Sequence, residues 1–374
     1  MLITNQVVNS FTIFTRMKIK KSHIILATFL PIQIFLVQLA SKNPKLIEKY
    51  YSNGIYPLIS KILRILFGWI PFSFGDVLLA FLLFLFLHFL FRLIKTKFKN
   101  FVPKIIGFTA VLSGIYFCFY FFWGLNYYRE SLAKNLHLQQ SKYTTEQLVS
   151  LSKKIIKRTN DLQVLITNSD TLQVKVPYNQ QEMYQKAQKG FKNISKKYPQ
   201  FIYQQKSVKS SLMSLLQSYN GTAGYMNPLT GEAQVNDKIP LTGYPATTCH
   251  EMAHQIGWAA ENEANFVGFL ASISNDDIYF QYSGYRMATR YLIFEIYKRD
   301  KNLYREVLSY INKGVIKDFN TSSEFWKSFK NPFEPIVKKG YNAYLKANNQ
   351  DKGIESYNYV VDLLISYFDK KTTP

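Results

Sequence analysis

Cysteine is nearly missing from this chain: it has two, Cys118 and Cys249. Cys118 lies inside an apolar run and Cys249 directly precedes a polar motif, so no bridge between them is expected. A disulfide-stapled fold is thereby excluded. Histidine is scarce as well, with five copies. Acidic residues number 24 against 46 Lys and Arg, and the shortage is uneven. Residues 1–129 hold 15 basic against 2 acidic side chains, and residues 130–374 hold 31 against 22. An excess of positive charge around apolar segments suits anionic lipid headgroups better than a nucleic-acid groove. No zinc-knuckle, RNP-like strand or recognition-helix pattern occurs, so nucleic acid is not an expected partner. Internal repeats and low-complexity runs are also missing, which argues against a solenoid.

The first third has long apolar runs instead. Three are expected to span a bilayer, over 24–40, 77–91 and 105–125, making 1–129 a membrane domain whose partner is the lipid bilayer. The second is almost pure Leu and Phe, and the first could alternatively be the core of a cleaved signal. Met17, followed by Lys-Ile-Lys-Lys, reads as a possible true start. Between the first two runs, Ile55–Ile70 has the pattern of an amphipathic helix lying on the membrane. Tyr116, Tyr120, Trp123, Tyr127 and Tyr128 read as an interfacial girdle at the end of the third run. The basic N-terminus and Arg92, Lys95, Lys97, Lys99 and Lys104 are expected to stay in the cytoplasm. That orientation predicts a multi-pass protein of the cell (inner) membrane with everything after Tyr128 on the extracytoplasmic, periplasmic side.

Residues 130–374 read as one predominantly α domain with a small β element. Thr144-Thr145-Glu146-Gln147 offers an N-cap ahead of a helical spacing of Leu148, Leu151, Ile155, Ile156 and Leu162. A helix is expected over about Gln180–Lys197, and Ser207–Ser218 is ambiguous between strand and helix. Turn formers crowd Asn220–Gly231. Further helices are expected over Ala264–Ile273, Asp276–Lys298, Leu303–Asn312, Ser322–Phe329, Pro335–Ala347 and Gly353–Phe368. The fold class is mainly α: N-terminal transmembrane helices followed by this domain.

The chemistry concentrates in His250-Glu251-Met252-Ala253-His254. On a helix, i and i+4 share a face, so the two imidazoles can meet one ion, with Glu251 placed to reach a water on it. A catalytic zinc usually takes three protein ligands. Glu261 and Glu263 are both candidates for the third. On an unbroken helix Glu261 would lie about 10 Å beyond His254 along the axis. The helix therefore has to stop and the chain fold back, and Gly257 can supply the left-handed conformation for that break. Cys249 neighbours His250 and would point off the ligand face, so it reads as a small buried side chain.

His250-Glu251-x-x-His254 followed by Glu261-x-x-Ala264-Asn265 resembles the gluzincin arrangement of metallopeptidases. The resemblance implies a zincin-like domain with Glu261 as third ligand, Glu263 in reserve and Asn265 orienting a ligand histidine. It further implies a donor to the oxyanion from a later helix, for which Tyr282, Tyr285 and Arg286 are candidates. In zincins an edge strand often holds the substrate, a role expected here for about Gly231–Asn236. Nearly the whole chain resembles an uncharacterised bacterial membrane family, domain of unknown function 3810. The matching stretches are Pro71-Phe72-Ser73-Phe74-Gly75-Asp76, Gly124-Leu125-Asn126-Tyr127-Tyr128-Arg129, Thr230-Gly231-Glu232-Ala233-Gln234-Val235-Asn236, the histidine motif and Tyr282-Ser283-Gly284-Tyr285.

The expected function is that of a membrane-anchored zinc peptidase acting on a peptide or protein outside the cytoplasm. Zn2+ activates a water and Glu251 serves as general base. The alternative is a non-catalytic zinc-binding envelope scaffold. A third possibility, a channel or transporter, is disfavoured by spans without buried charge pairs.

Overall fold

In chain order, the N-terminal third of the computed structural model forms α1 (Lys21–Ser41), a π-helical stretch Ile47–Ile55, α2 (Tyr56–Gly68), α3 (Phe74–Lys95) and α4 (Phe101–Phe122). The structure describes residues 20–138, 142–350, 353 and 359–372. The proposed start at Met17, and residues 354–358 of the last expected helix, lie outside the described residues. Helices α1, α3 and α4 are each long and apolar enough to cross a membrane. Their outward side chains are apolar nearly all round, which is the pattern of a helix solvated by lipid.

The chain continues with α5 (Thr145–Thr167), α6 (Gln180–Ser195), β1 (Val208–Ser210), α7 (Ser214–Asn220), β2 (Gly224–Met226) and β3 (Ala233–Val235). Helices α8 (Tyr244–Gln255), α9 (Glu261–Ile273), α10 (Ile278–Arg299) and α11 (Lys301–Ser309) follow. The last are α12 (Lys313–Ser328), α13 (Glu334–Ala347) and α14 (Val360–Thr372). The fold is mainly helical, with a single small sheet among the described residues. Helix starts are set by local chemistry. Thr144 accepts from the Gln147 N–H while the Gln147 side chain accepts from the Thr144 N–H, and Asn179 and Glu182 repeat the device on α6.

The ambiguity over Ser207–Ser218 resolves into both elements, a three-residue strand and then α7. The sheet has the order β1-β3-β2, with β1 parallel and β2 antiparallel to β3. This corrects the expectation for Gly231–Asn236: β3 is the central strand and fully buried, and β2 is an edge.

The chain separates into two compact units, and the division does not follow a cut at residue 129. One unit comprises the described part of Met1–Leu39 together with Leu79–Phe121. Within it Gln33 Nε2 donates to Ser113 Oγ at 2.8 Å, and Phe89 stacks on Phe108 with centroids 4.6 Å apart. The larger unit comprises Ala40–Leu78 and Phe122–Pro374. Residues 40–78, between two apolar helices in sequence, are therefore part of the body that carries the histidine motif. Trp123, Tyr127 and Tyr128 are buried in that body rather than displayed as a girdle. The third apolar helix already ends at Phe122, and a 3-10 turn (Gly124–Tyr128) follows it.

The larger unit is built around α9, which packs on α8, α6, α10 and α14. Trp258, Tyr244, Phe191, Phe266 and Tyr282 fill the centre. The first turn of α3 is tied to the sheet by buried polar groups. Glu232 accepts from the Gly75 N–H at 2.5 Å and the Thr230 hydroxyl at 2.9 Å, and pairs with Lys209. Asp76 accepts from Ser211 Oγ and the Leu212 N–H, both at 2.8 Å, and from the Tyr225 hydroxyl. Each carboxylate is thus fully compensated, as burial requires.

Candidate metal centre

Helix α8 ends at Gln255 because Gly257 turns the chain back with φ +90°, a conformation that penalises any side chain. Helix α9 then opens at Glu261, with Glu261 and Glu263 in its first turn where the helix dipole favours carboxylates. The break brings Glu261 to the histidines. Its Oε2 lies 3.4 Å from His250 Nε2 and 3.6 Å from His254 Nε2, and the two imidazole nitrogens are 3.1 Å apart. One donor atom from each residue falls within 4.8 Å of the others. A tetrahedral ion with bonds of about 2.0–2.2 Å would hold its donors about 3.3–3.6 Å apart, so the spacing fits such an ion.

His254 and Glu261 are buried and oriented by neighbours, and His250 is half-buried. His254 Nδ1 lies 2.7 Å from the Trp258 carbonyl oxygen, which fixes the proton on Nδ1 and leaves Nε2 facing the cluster. Burial disfavours charge on His254, but the Glu261 carboxylate beside it outweighs burial and brings the imidazole up to about 8. Burial likewise works to raise Glu261, and the two histidines overcome it and hold the carboxyl well below the usual range. Tyr341, on α13, donates to Glu261 Oε1 at 2.7 Å. That bond occupies one oxygen of the carboxylate and leaves Oε2 to the histidine pair.

Glu251 sits on the same helix, with Oε1 4.0 Å from His250 Nε2. Its Oε2 is buried without a hydrogen-bond partner among the described residues, as is His250 Nδ1. Burial raises the Glu251 carboxyl to about 7, against the pull of His250 and His254. The edge strand β2 passes directly over it: a Cβ at Gly224 would lie 2.7 Å from Glu251 Oε1. Ala223 and Asn227 face β3, accepting from Asn236 and donating to the Glu232 carbonyl respectively. By strand alternation the main-chain groups of Gly224 and Met226 point to the unpaired edge.

Other expected site residues lie apart from the cluster. The Glu263 carboxylate accepts from the Leu132 N–H at 2.6 Å, a structural bond away from the donor atoms. The Tyr282 hydroxyl donates to Asp318 Oδ2 at 2.5 Å and is fully buried there. Tyr285 packs edge-on against Phe269, and Arg286 donates to the Asp318 carbonyl and to Ser322 Oγ. These three are committed to packing α10 on its neighbours. Asn265 lies against Tyr291 and makes no bond to either imidazole among the described residues, whereas the Trp258 carbonyl meets His254. Cys249 is fully buried, and burial pushes its thiol up to about 12.

The support of the centre comes from stretches with no motif. The hydroxyls of Tyr56 and Ser60 on α2 both donate to the Gln255 carbonyl, at 2.8 and 2.9 Å. Trp123 Nε1 donates to the His254 carbonyl at 3.0 Å. Arg129 pairs with both oxygens of Glu48, donates to the Gly257 carbonyl at 3.0 Å and stacks 3.7 Å over the Trp258 ring. The end of α8 and the break after it are thereby clamped by residues 48–60 and 123–129.

A family model, described as Protein of unknown function (DUF3810), matches residues 51–365. The chain belongs to that family. The matched region starts inside the π-helical stretch and so takes in α2 as well as the donor cluster. Neither the comparison with curated proteins nor that with solved structures gives a match.

Proposed function

We propose that the protein is a membrane-anchored, zinc-dependent peptidase of gluzincin type, working on the extracytoplasmic side of the cell membrane. The observation that carries the reading is the convergence of His250 Nε2, His254 Nε2 and Glu261 Oε2 at tetrahedral spacing beside an unpartnered Glu251 oxygen. His250, His254 and Glu261 would hold the ion. When bound, zinc supplies Lewis acidity and lowers the pKa of water towards neutrality.

The chain's own groups account for the rest. Glu251 Oε2 is free to accept a proton from water and pass it to the leaving amine, and a carboxyl raised to about 7 suits both directions of transfer. The outward main-chain groups of Gly224 and Met226 offer an extended peptide a strand to pair with, next to that carboxylate. Glycine at 224 is what lets strand and base approach. The five Lys and Arg of 92–104 are packed into 13 residues with no acidic partner, whereas the five of 41–73 are spread over 33 with Glu48 among them, and that density supports a multi-pass orientation with the cluster outside.

The test uses the full chain in detergent or vesicles. Zinc stoichiometry is measured, and wild type is compared with Glu251→Gln on a peptide library. Wild type should bind one zinc and cleave, and the variant should bind zinc and be inert. Equal inactivity of the two across substrates would overturn the peptidase reading, and absence of zinc would overturn the centre.

A further inference from the structure

Helix α2 is amphipathic the wrong way round for a surface helix in water. Its inner face carries polar groups beside Leu63: the Tyr56 and Ser60 hydroxyls and Arg64, only 3% and 4% exposed for the last two, are spent on the Gln255 and Gln205 carbonyls. Its outer face is apolar, with Leu58 60% exposed, Ile62 47% and Leu66 55%. Lys61 is the one charged side chain on that face, and its stem can run along an apolar surface while the ammonium reaches water. Trp69, 78% exposed, extends the face beyond the helix end.

Two observations identify what covers this face. The first is continuity of chain. Helix α3, one of the candidate spans, starts at Phe74, and its first turn belongs to the same compact unit as α2. Trp69 therefore stands five residues before a membrane-crossing segment, where a tryptophan anchor is expected. The second is a separate element converging on the same place. Leu212, two residues before α7, donates its N–H to Asp76 in the first turn of α3 and is exposed, as are Leu215 and Leu216 within α7. Two unconnected elements thus turn leucines outward around the entry point of one span.

We propose that the outer faces of α2 and α7 form an interfacial membrane-binding surface, seated among the lipid headgroups and upper acyl chains. The donor cluster is then held at the bilayer surface through short links. Tyr56 and Ser60 join α2 to the last turn of the histidine helix. Tyr225, bonded to Asp76, is next in sequence to Gly224, which touches Glu251. On the peptidase reading, which this corollary alone requires, the substrates that fit are polypeptide segments lying at the membrane surface.

Fluorescence of the full chain in phosphatidylcholine vesicles tests the surface without zinc or substrate. Subtracting the emission of Trp69→Phe from that of wild type isolates Trp69. Replacing the lipid with one brominated near the headgroup end of its chains should quench that component several-fold, and its emission should be blue-shifted. Leu58→Cys carrying an environment-sensitive dye, in a chain with Cys118→Ser so that the exposed thiol is the one at 58, reads the same face independently and should report an apolar setting. A Trp69 component with the red emission of water and no response to brominated lipid would overturn the proposal. So would a dye signal at residue 58 that depends on protein density rather than on lipid, which would mean that a second copy covers the face. Neither readout changes if the protein cleaves nothing, so failure of the peptidase reading remains a separate result.

Discussion

The indole nitrogen of Trp123 donates to the main-chain carbonyl of His254, although the two residues are 131 positions apart. A tryptophan just past an apolar helix thus holds the backbone of a donor residue. That carbonyl also accepts from the Gly257 N–H at 3.0 Å, so losing the indole bond should cost about 0.5–1.5 kcal/mol. Trp123→Phe is expected to lower stability by that amount while retaining the three donors, as read by denaturant unfolding and zinc binding of the full chain.

Glu48 and Arg129 form a buried pair. Removing one partner of such a pair typically costs about 3–5 kcal/mol, because the other charge is left without compensation. Glu48→Gln should therefore destabilise far more than the loss of a surface ion pair. A variant within a few tenths of a kcal/mol of wild type would contradict the arrangement.

The two acidic candidates separate by environment. Glu261 faces the histidines, and Glu263 caps the Leu132 N–H. Substitution of an outer partner typically costs about 10–100-fold in metal affinity. Tyr341→Phe should fall in that range, Glu261→Ala should exceed it, and Glu263→Gln should leave zinc affinity within about tenfold of wild type while lowering stability. Competition with a chelator ranks the three.

A chain beginning at residue 130 loses the clamps on Gln255, His254 and Gly257 together with the partners of Glu232 at Phe74 and Gly75. It should be protease-sensitive and bind zinc poorly. A stable, zinc-binding fragment would show the clamps to be dispensable.

Asp318 supplies a pH test of the packing around Tyr282. Burial raises its carboxyl above the ordinary 3.8, while the Tyr282 hydroxyl and the Arg286 guanidinium act against that. A carboxyl raised in the fold keeps its proton where the unfolded chain has lost it. Its contribution to stability is therefore fully present below 3.8 and declines as pH rises through the raised value. Asp318→Asn should lose less stability than wild type across that rise, and identical slopes in thermal melts would count against the assignment.

The donor pair and the break after it were legible in sequence because both depend on local spacing: two histidines one turn apart, and a glycine before the next acidic residue. The three apolar helices were legible for the same reason, although their ends move by several residues. What supports the centre was not. Tyr56 meets Gln255 across 199 residues and Tyr341 meets Glu261 across 80. No period or motif marks such pairs, and Tyr341 is one tyrosine among 27. The inverted polarity of α2 was visible as amphipathicity, but periodicity alone does not say which face turns inward. Tyr282 and Tyr285 were plausible by position on a later helix, and their hydroxyl and ring contacts turned out to serve packing.

The clamp on α8 also fixes an order of events during synthesis. Residues 48–60 and 123–129 emerge long before Gln255, so the Tyr56, Ser60 and Trp123 donors must wait for acceptors nearly two hundred and over a hundred residues later. Contacts that distant in sequence close late in folding. A nascent chain halted before Glu261 carries both histidines but neither the third carboxylate nor the helix that presents it. The cluster is thus assembled only after the apolar helices have been made, and a partly synthesised chain has no complete donor set.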